Sequence, residues 1–177
     1  MPTAILTVRP LQNSDADRLY ALTSDPEVAR YMRFSAHTSP EQAAALIEEY
    51  TAPGGAGYAL VERETGRFAG VFACKKGEEK GELTLSVLLD KRLWNRGCAT
   101  DVLRRMLPIL RRELGARLLT AYVVGSNGGS RRVLEKCGFH VDRVKMFDDL
   151  PDGLYIYRYD LEQTNGKDKE DAACAGW

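Results

Sequence analysis

The sequence predicts an α+β domain with the three-layer α/β arrangement, in which helices flank a central sheet. Residues 82–90 alternate apolar with mostly polar side chains, as in a strand with one buried face, and an amphipathic helix follows to about residue 114. A second strand and a short capped helix are predicted over residues 117–138. Two more strand-like segments, 58–63 and 68–75, flank a connection of hairpin composition.

Length and charge limit the class of protein. A chain of 177 residues can bury a core without disulfides, and we expect a single domain over residues 1–163. Its 25 basic and 25 acidic residues leave no net charge. Because a neutral chain has no overall field that attracts nucleic acid or an anionic membrane, neither is expected as a partner.

The cysteines and the chain ends favour a cytoplasmic protein. The four cysteines are far apart without metal-ligand spacing, so thiols in a reducing compartment are favoured and no metal is expected. The first residues lack the basic and long apolar regions of a signal peptide, and no apolar run is long enough to cross a bilayer. Residues 164–177 are polar and charged, and we expect a disordered tail there.

The first half of the chain carries start and stop signals for one strand and three helices. The strand is predicted over residues 5–9 and is stopped by Pro10. The helices begin at Asn13-Ser14-Asp15, at Ser24-Asp25-Pro26 and near Ser39-Pro40-Glu41, where side-chain oxygens can cap free backbone N–H groups. They are expected to end near residues 23, 32 and 50.

The second half alternates strands with helices and ends in two strands. Pro108 is expected to interrupt and kink the helix that follows residues 82–90, because proline removes a backbone hydrogen bond. Strands are predicted over 140–146 and 154–161, joined by a loop over 147–153.

The first strand-to-helix junction suits an anion. The first backbone N–H groups of a helix lack partners and carry partial positive charge, and Gly97 permits close approach of the backbone to a ligand. The loop can therefore wrap a pyrophosphate with amides, with charge added by Arg92 or Arg96. An ordinary strand-to-helix connection is the alternative. The loop residues are Asn95, Arg96, Gly97, Cys98, Ala99 and Thr100.

The second junction places Asn127 and Ser130 at the start of a helix that follows a strand. Their side chains are therefore expected at the open end of the sheet. Taken alone, Asn127 is an ordinary capping residue and Ser130 an ordinary first-turn hydroxyl.

Both junctions carry recognisable motifs. The segment Asn127-Gly-Gly-Ser-Arg-Arg-Val-Leu-Glu-Lys-Cys-Gly-Phe139 resembles the Asn-x-x-Ser-x-x-x-x-Glu-Lys-x-Gly-Phe signature of the GNAT acyltransferases, in the branch of the RimJ and RimL protein N-terminal acetyltransferases. Trp94-Asn-Arg-Gly-Cys-Ala99 resembles the coenzyme A pyrophosphate loop of that branch. Arg9-Pro-Leu and Asp25-Pro-Glu-Val-Ala-Arg-Tyr-Met32 resemble its opening segments, so the resemblance covers residues 9 to about 161.

The resemblance implies the GNAT fold, with a mixed, mostly antiparallel sheet and a V-shaped split between its two central parallel strands. It also implies that acetyl-CoA binds in this split as co-substrate, without a metal. The pyrophosphate would lie on the amides of residues 95–100, and Arg131 with Arg132 would approach the adenosine phosphate; a solvated helix face is the alternative for these two arginines. The backbone groups that would hold the pantetheine belong to Val87, Leu88 and Leu89.

The same resemblance implies direct attack of a substrate amine on the thioester. Many members of the family have a tyrosine acid where this chain has Leu134, which cannot donate a proton. Ser130 is therefore the candidate that protonates or hydrogen-bonds the leaving sulfur, and Asn127 would position a water or bind pantetheine. The base is open between Asp152, which is favoured, and Glu82, with Asp149 as a further loop carboxylate.

Three functions remain open at this level. The leading hypothesis is an acetyl-CoA-dependent N-acetyltransferase that acts on a primary amine, with a protein N-terminus as one acceptor. A small-molecule amine, such as an antibiotic, polyamine or amino acid, is the second. The third is a module that binds coenzyme A without turnover, which the missing tyrosine allows. Both a monomer and a homodimer are compatible with the residues.

Overall fold

The computed structural model describes residues 5–162, which form one sheet with helices on both faces. The strands of this region are β1 Leu6–Pro10, β2 Gly55–Glu62, β3 Phe68–Lys76, β4 Glu82–Leu89, β5 Leu118–Val124, β6 His140–Phe147 and β7 Leu150–Asp160. Its α-helices are α1 Ala16–Thr23, α2 Pro26–Ala29, α3 Pro40–Thr51, α4 Cys98–Leu114 and α5 Gly128–Lys136. The predicted disordered tail, residues 164–177, lies outside the described residues.

The sheet is mixed and contains one parallel pair at its centre. The strand order is β1-β2-β3-β4-β5-β7-β6, and all neighbours are antiparallel except β4 and β5. The β4–β5 ladder ends after three residue pairs, the last being Thr84 with Thr120. Beyond that pair the two strands diverge, which confirms the predicted V-shaped split between parallel central strands.

Two apolar clusters cover the two faces of the sheet. On one face, residues of α1, α2 and α3 pack on β2, β3 and β4, with Leu19 and Ile47 fully buried. On the other face, α4 and α5 pack across the sheet as far as β7, with Leu103, Met106 and Leu110 fully buried. The first group of helices therefore leaves β5 and β7 uncovered on its own face.

Several predicted boundaries differ from the structure. Helix α2 ends at Ala29 rather than residue 32, and β2 begins at Gly55 rather than residue 58 because residues 55–57 pair with β3 in spite of their glycines. The loop predicted over 147–153 is wrong, because Phe147 pairs directly with Leu150 around a tight turn. Helix α4 continues through Pro108, so the predicted interruption there is also wrong.

An ion pair between partly exposed Arg9 and buried Asp15 joins β1 to the start of α1. Both terminal guanidinium nitrogens of Arg9 donate to the carboxylate of Asp15, at 2.8 and 2.6 Å, and the backbone N of Gln12 donates to it at 3.1 Å. Asp15 is fully buried. The hydrogen bonds from Arg9 hold the pKa of Asp15 below its usual range, although burial opposes this. Asp15 therefore ties the first helix to the edge of the sheet.

We expect Asp15→Asn to lower the free energy of unfolding by about 2 kcal/mol at pH 7, below the value for a fully buried pair because Arg9 is partly exposed. Since the folded-state pKa of Asp15 is lowered, its contribution is present above the unfolded pKa of about 4 and is lost as the pH falls through the folded value. Urea unfolding of Asp15→Asn at several pH values measures this, with the exposed Asp17→Asn as control. Equal stabilities of the two variants at pH 7 would contradict the assignment.

Candidate active site

The split exposes backbone groups of β4. The backbone N of Asp90 donates to the carbonyl O of Ala69 in β3 at 2.8 Å. Because hydrogen-bonded positions alternate along an antiparallel ladder, even-numbered residues of β4 direct N–H and C=O toward β3 and odd-numbered residues direct them toward β5. The backbone N–H and C=O groups of Leu88 are therefore directed toward β3 and not toward the split. The residues whose backbone groups face the split are Leu85, Val87 and Leu89, and the carbonyl O of Leu89 accepts from the indole Nε1 of Trp94 at 2.8 Å.

The loop after β4 leaves the first amides of α4 free. Gly97, the residue before the helix, has a φ of 77°, Asn95 has a φ of 58°, and no side chain caps the helix. The first intrahelical bond runs from Asp101 N to Gly97 O at 3.0 Å. The N–H groups of residues 98–100 therefore have no helical acceptor and form a site of positive partial charge.

The two arginines beside this loop have different environments. Arg92 donates to Asp90 at 2.6 Å and to Glu62 at 3.3 Å. Burial alone would raise the pKa of Asp90, but hydrogen bonds from Arg92 hold it below its usual value. Arg92 is therefore engaged by carboxylates, whereas Arg96 is exposed. Of the two cations predicted to add charge to a phosphate site, Arg96 is the one available.

Helix α5 begins at the second junction with the predicted cap. The Asn127 Oδ1 accepts from the backbone N of Ser130 at 3.1 Å, and the carbonyl O of Asn127 accepts from Arg131 N at 3.2 Å. Ser130 is half-buried in the first turn. The cap fixes the start of the helix and leaves the side-chain NH₂ of Asn127 and the hydroxyl of Ser130 for other partners.

The two junctions border one crevice. The thiol of Cys137, directly after α5, contacts the carbonyl O of Thr100 in the first turn of α4 at 3.7 Å, and Arg104 Nη2 donates to the carbonyl O of Lys136 at 2.9 Å. Because β4 and β5 are parallel, both helices begin at the same end of the sheet. The structure therefore brings the loop around Gly97 and the first turn around Ser130 to opposite sides of the split.

Glu82 lies at the closed end of the split. Its carboxylate accepts from Thr120 Oγ1 of β5 and from the backbone N of Glu79 at 2.9 Å, and the residue is 5% exposed. Burial by itself would raise the pKa of Glu82, but these hydrogen bonds and the charge of Arg158 hold it below its usual value. Glu82 thus joins β4 to β5 along their short paired segment, at the opposite end of β4 from Leu89.

Asp152 lies near the open end of the split, in a strand rather than in the predicted loop. A Cβ on Gly125 would lie 2.0 Å from the carbonyl O of Asp152, so only glycine fits there. Gly125 N donates to Gly153 O at 2.9 Å. The exposed carboxylate of Asp152 is thus carried next to the turn between β5 and α5, whereas Asp149 lies in the hairpin turn.

Arg131 contacts side chains of β7. Its Nε donates to the hydroxyl of Tyr157 at 3.1 Å, and its guanidinium lies 4.0 Å from the ring centre of Tyr155. The alternation of Tyr155, Tyr157 and Tyr159 on one strand face predicts core packing, with a place in the wall of a substrate pocket as the alternative, and does not indicate the bond from Arg131. No local pattern marks Thr120 as the partner of Glu82.

Residues 5–162 contain no group of three or more His, Cys, Asp or Glu side chains arranged to hold a metal ion. In the same range, no helix has the length and apolar character needed to span a bilayer.

Comparison with known proteins identifies related chains. The family described as acetyltransferase (GNAT) domain matches residues 6–140. The uncharacterized N-acetyltransferase YoaA of Bacillus subtilis is 26% identical over 151 residues, covering 81% of this chain and 84% of that protein.

Solved structures share the fold at low sequence identity. Spermidine N-acetyltransferase from Vibrio cholerae in complex with CoA and spermine has a TM-score of 0.78 at 13% identity, covering 90% of this chain and 98% of that one. Ribosomal-protein-S5-alanine acetyltransferase from Vibrio fischeri has a TM-score of 0.75 at 14% identity, covering 92% and 96%. These likenesses show the same arrangement of strands and helices.

We expect Thr120→Val to lower the free energy of unfolding by about 1–2 kcal/mol at pH 7, because the buried carboxylate of Glu82 loses a donor. The pKa of Glu82 is lowered in the folded state, so its stabilisation is present above the unfolded pKa of about 4 and fades as the pH falls. The difference in free energy of unfolding between Thr120→Val and the wild type should therefore become smaller at acidic pH.

Urea titrations at neutral and acidic pH measure this difference. Thr84→Val is the matched control, since Thr84 is the paired residue on the same face and is only half-buried. A Thr120→Val deficit that is independent of pH would show that lost packing, and not the carboxylate, is responsible.

Proposed function

Since the chain belongs to the GNAT acetyltransferase family and is an N-acetyltransferase, we propose that it transfers the acetyl group of acetyl-CoA directly to a primary amine. The observation that carries this proposal is the split between β4 and β5, with the uncapped start of α4 on one side and Ser130 on the other. A thioester carrier with a diphosphate at one end and a sulfur at the other fits these two features.

The coenzyme binds mainly through backbone groups. The free amides of residues 98–100 accept the pyrophosphate at the start of α4, where the helix dipole favours negative charge. The backbone of Val87 and the N–H of Leu89 pair with the pantetheine amides as an added strand would, since the carbonyl O of Leu89 already accepts from Trp94 Nε1 at 2.8 Å. Arg96 supplies charge beside the phosphates. The pantetheine then leads into the split toward Ser130.

The amine approaches from the other face of the sheet. Helices α4 and α5, and with them the coenzyme, lie on one face, so the carbonyl carbon is open to attack from the face of α1–α3. Extending the β4–β5 register places Ser86 and Tyr122 level with each other on that face, across the split. Ser86 is hydrogen-bonded to Tyr50 at 3.4 Å, and Tyr122 is 45% exposed. These side chains form the walls that the acceptor meets.

The chemistry needs an acid and a base. The amine nitrogen attacks the thioester carbonyl, its bond to carbon forms, and the carbon–sulfur bond breaks as the thiolate leaves. Ser130 hydrogen-bonds or protonates the departing sulfur, and Asn127 positions a water or the pantetheine with its NH₂ group. Asp152 is the preferred group to take the amine proton, through water, because it is exposed beside Gly125. Glu82 is a weaker candidate, since its oxygens are already occupied.

The open surface around the split favours a protein N-terminus as acceptor, as in RimJ- and RimL-like enzymes. Helices α1–α3 pack on β2–β4 and leave Tyr122 exposed, so the acceptor side is not an enclosed pocket. The ribosomal-protein-S5-alanine acetyltransferase shares the fold, but so does the spermidine enzyme, and a small-molecule amine is the alternative acceptor.

All residues of the proposed site belong to one chain, so a monomer is sufficient for the reaction. A homodimer is also compatible with this site. We place the reaction in the cytoplasm, where a reducing environment suits free thiols. Among the described residues, the free and buried cysteines are Cys74, Cys98 and Cys137.

We expect Ser130→Ala to lower kcat about 10- to 100-fold, because the leaving sulfur loses its hydrogen-bond donor. Release of free coenzyme A is measured with a panel of peptides, polyamines and aminoglycosides. Ser126→Ala, four residues earlier and exposed, is the control and should keep the wild-type rate. Unchanged turnover of Ser130→Ala would remove Ser130 from the mechanism. Binding of acetyl-CoA by the wild-type protein without release across the whole panel would favour the non-catalytic module instead.

We expect Gly97→Ala to raise the KM for acetyl-CoA about ten-fold, because a side chain at a φ of 77° strains the loop that presents the free amides. Gly115→Ala at the other end of α4 is the matched control. Its φ is 64°, and neither glycine has an atom within 4 Å of an added Cβ. Both variants should lose about 1 kcal/mol of stability. Equal KM values in the two variants would contradict the pyrophosphate assignment.

A further inference from the structure

Three polar side chains form a hydrogen-bonded chain beneath α5. Arg131 Nε donates to the hydroxyl of Tyr157 at 3.1 Å, and that hydroxyl donates to Glu135 Oε1 at 2.7 Å. Arg131 and Glu135 are four residues apart on the helix, so both reach the same point on β7. Tyr157 has no exposed surface. The hydroxyl thus has both a donor and an acceptor partner under the helix.

The chemistry of the three groups fixes which of them donates in each of these hydrogen bonds. A guanidinium only donates and a carboxylate only accepts, so the hydroxyl of Tyr157 must accept from Arg131 and donate to Glu135. Burial raises the pKa of Tyr157, so the hydroxyl keeps the proton that it donates. Hydrogen bonds to charged partners are stronger than neutral ones, and loss of a buried partner is costly. The arrangement therefore holds α5 in one register on β7.

Arg131 also connects these hydrogen bonds to the first turn of α5. Its Nη1 donates to the carbonyl O of Gly125, at the end of β5, at 3.4 Å, and its guanidinium stacks on Tyr155 at 4.0 Å. Arg131 directly follows Ser130, and its backbone N donates to the carbonyl O of Asn127. The end of β5, the first turn of α5 and β7 therefore meet at one guanidinium.

From this geometry we infer that Tyr157 is a positioning residue, which through Arg131 sets where Ser130 and Asn127 stand at the split. The inference rests on the proposed function, since it concerns the same reaction. It also assigns Arg131 to the alignment of α5 on β7, in place of the coenzyme phosphate contact that the resemblance implies. Leu134, on the same helix, makes apolar contacts only and cannot replace this alignment.

Tyr157→Phe tests the inference, with Tyr159→Phe as matched control. Tyr159 lies two residues later on the same face and packs its ring on Phe139, with ring centres 5.0 Å apart. We expect Tyr157→Phe to lower kcat about ten-fold, because small displacements of reacting groups are costly. The KM for acetyl-CoA should stay within about two-fold, since the loop of α4 is untouched. Tyr159→Phe should match the wild type in both constants.

Two substitutions at Glu135 separate alignment from packing. Glu135→Gln keeps an oxygen that accepts from Tyr157 and should retain most of the rate, whereas Glu135→Ala removes the acceptor and should resemble Tyr157→Phe. A wild-type kcat in Tyr157→Phe, or an equal loss in Tyr159→Phe, would overturn the inference.

Arg131→Lys discriminates between the two roles of Arg131. Lysine keeps the charge but loses the planar donor set, so alignment predicts a lower kcat at unchanged KM for acetyl-CoA. A higher KM at unchanged kcat would overturn the inference and favour the phosphate contact.

Hydrogen exchange keeps the test independent of turnover. Tyr157→Phe should speed exchange of the amides in the first turns of α5 about ten-fold relative to Tyr159→Phe, because the helix loses its fixed register. If the wild-type protein has no activity on any amine, the proposed function fails, and the exchange result alone decides whether Tyr157 sets this register. Equal exchange in the two variants would overturn it.

Discussion

The structure depends on the early end of one parallel ladder. Strands β4 and β5 share three residue pairs and then separate, although each keeps its antiparallel partner on the other side. Backbone N–H and C=O groups inside a protein are almost always paired, so an opening between two central strands leaves groups that a ligand can satisfy. The bond between Glu82, in the first residue pair of the ladder, and Thr120, in the last, spans the paired segment, and the other features of the site are arranged around the opening beyond it.

In the proposed reaction, the sheet separates the side of the coenzyme from the side of the acceptor. The helices that begin at the two junctions lie on one face, and the helices from the first part of the chain lie on the other. A coenzyme and an acceptor that approach from opposite faces meet only within the split, without a cavity that encloses both. The neutral net charge fits this proposal, in which recognition relies on local amides, hydroxyls and aromatic rings rather than on a global field.

The signature at the second junction combines chemistry with alignment. Asn127 and Ser130 face the proposed reaction, whereas Arg131 and Glu135 bind a tyrosine of the last strand. Residues one position apart on a helix point in different directions, so one short motif serves both purposes. This explains why Arg131, which resembles a phosphate ligand by its place in the motif, is engaged by β7 in the structure.

The sequence by itself determined the order of strands and helices, the cap at Asn127 and the uncapped glycine junction at Gly97, because periodicity, capping and glycine conformation act within a few residues. Only the tertiary structure decided which side chains are free. Glu82 is engaged by Thr120, 38 residues later, and Asp152 reaches Gly125 through strand pairing. The early start of β7 likewise follows from its pairing with β6. Such contacts join segments that are distant along the chain, and the local residue pattern does not predict which distant group a carboxylate will contact.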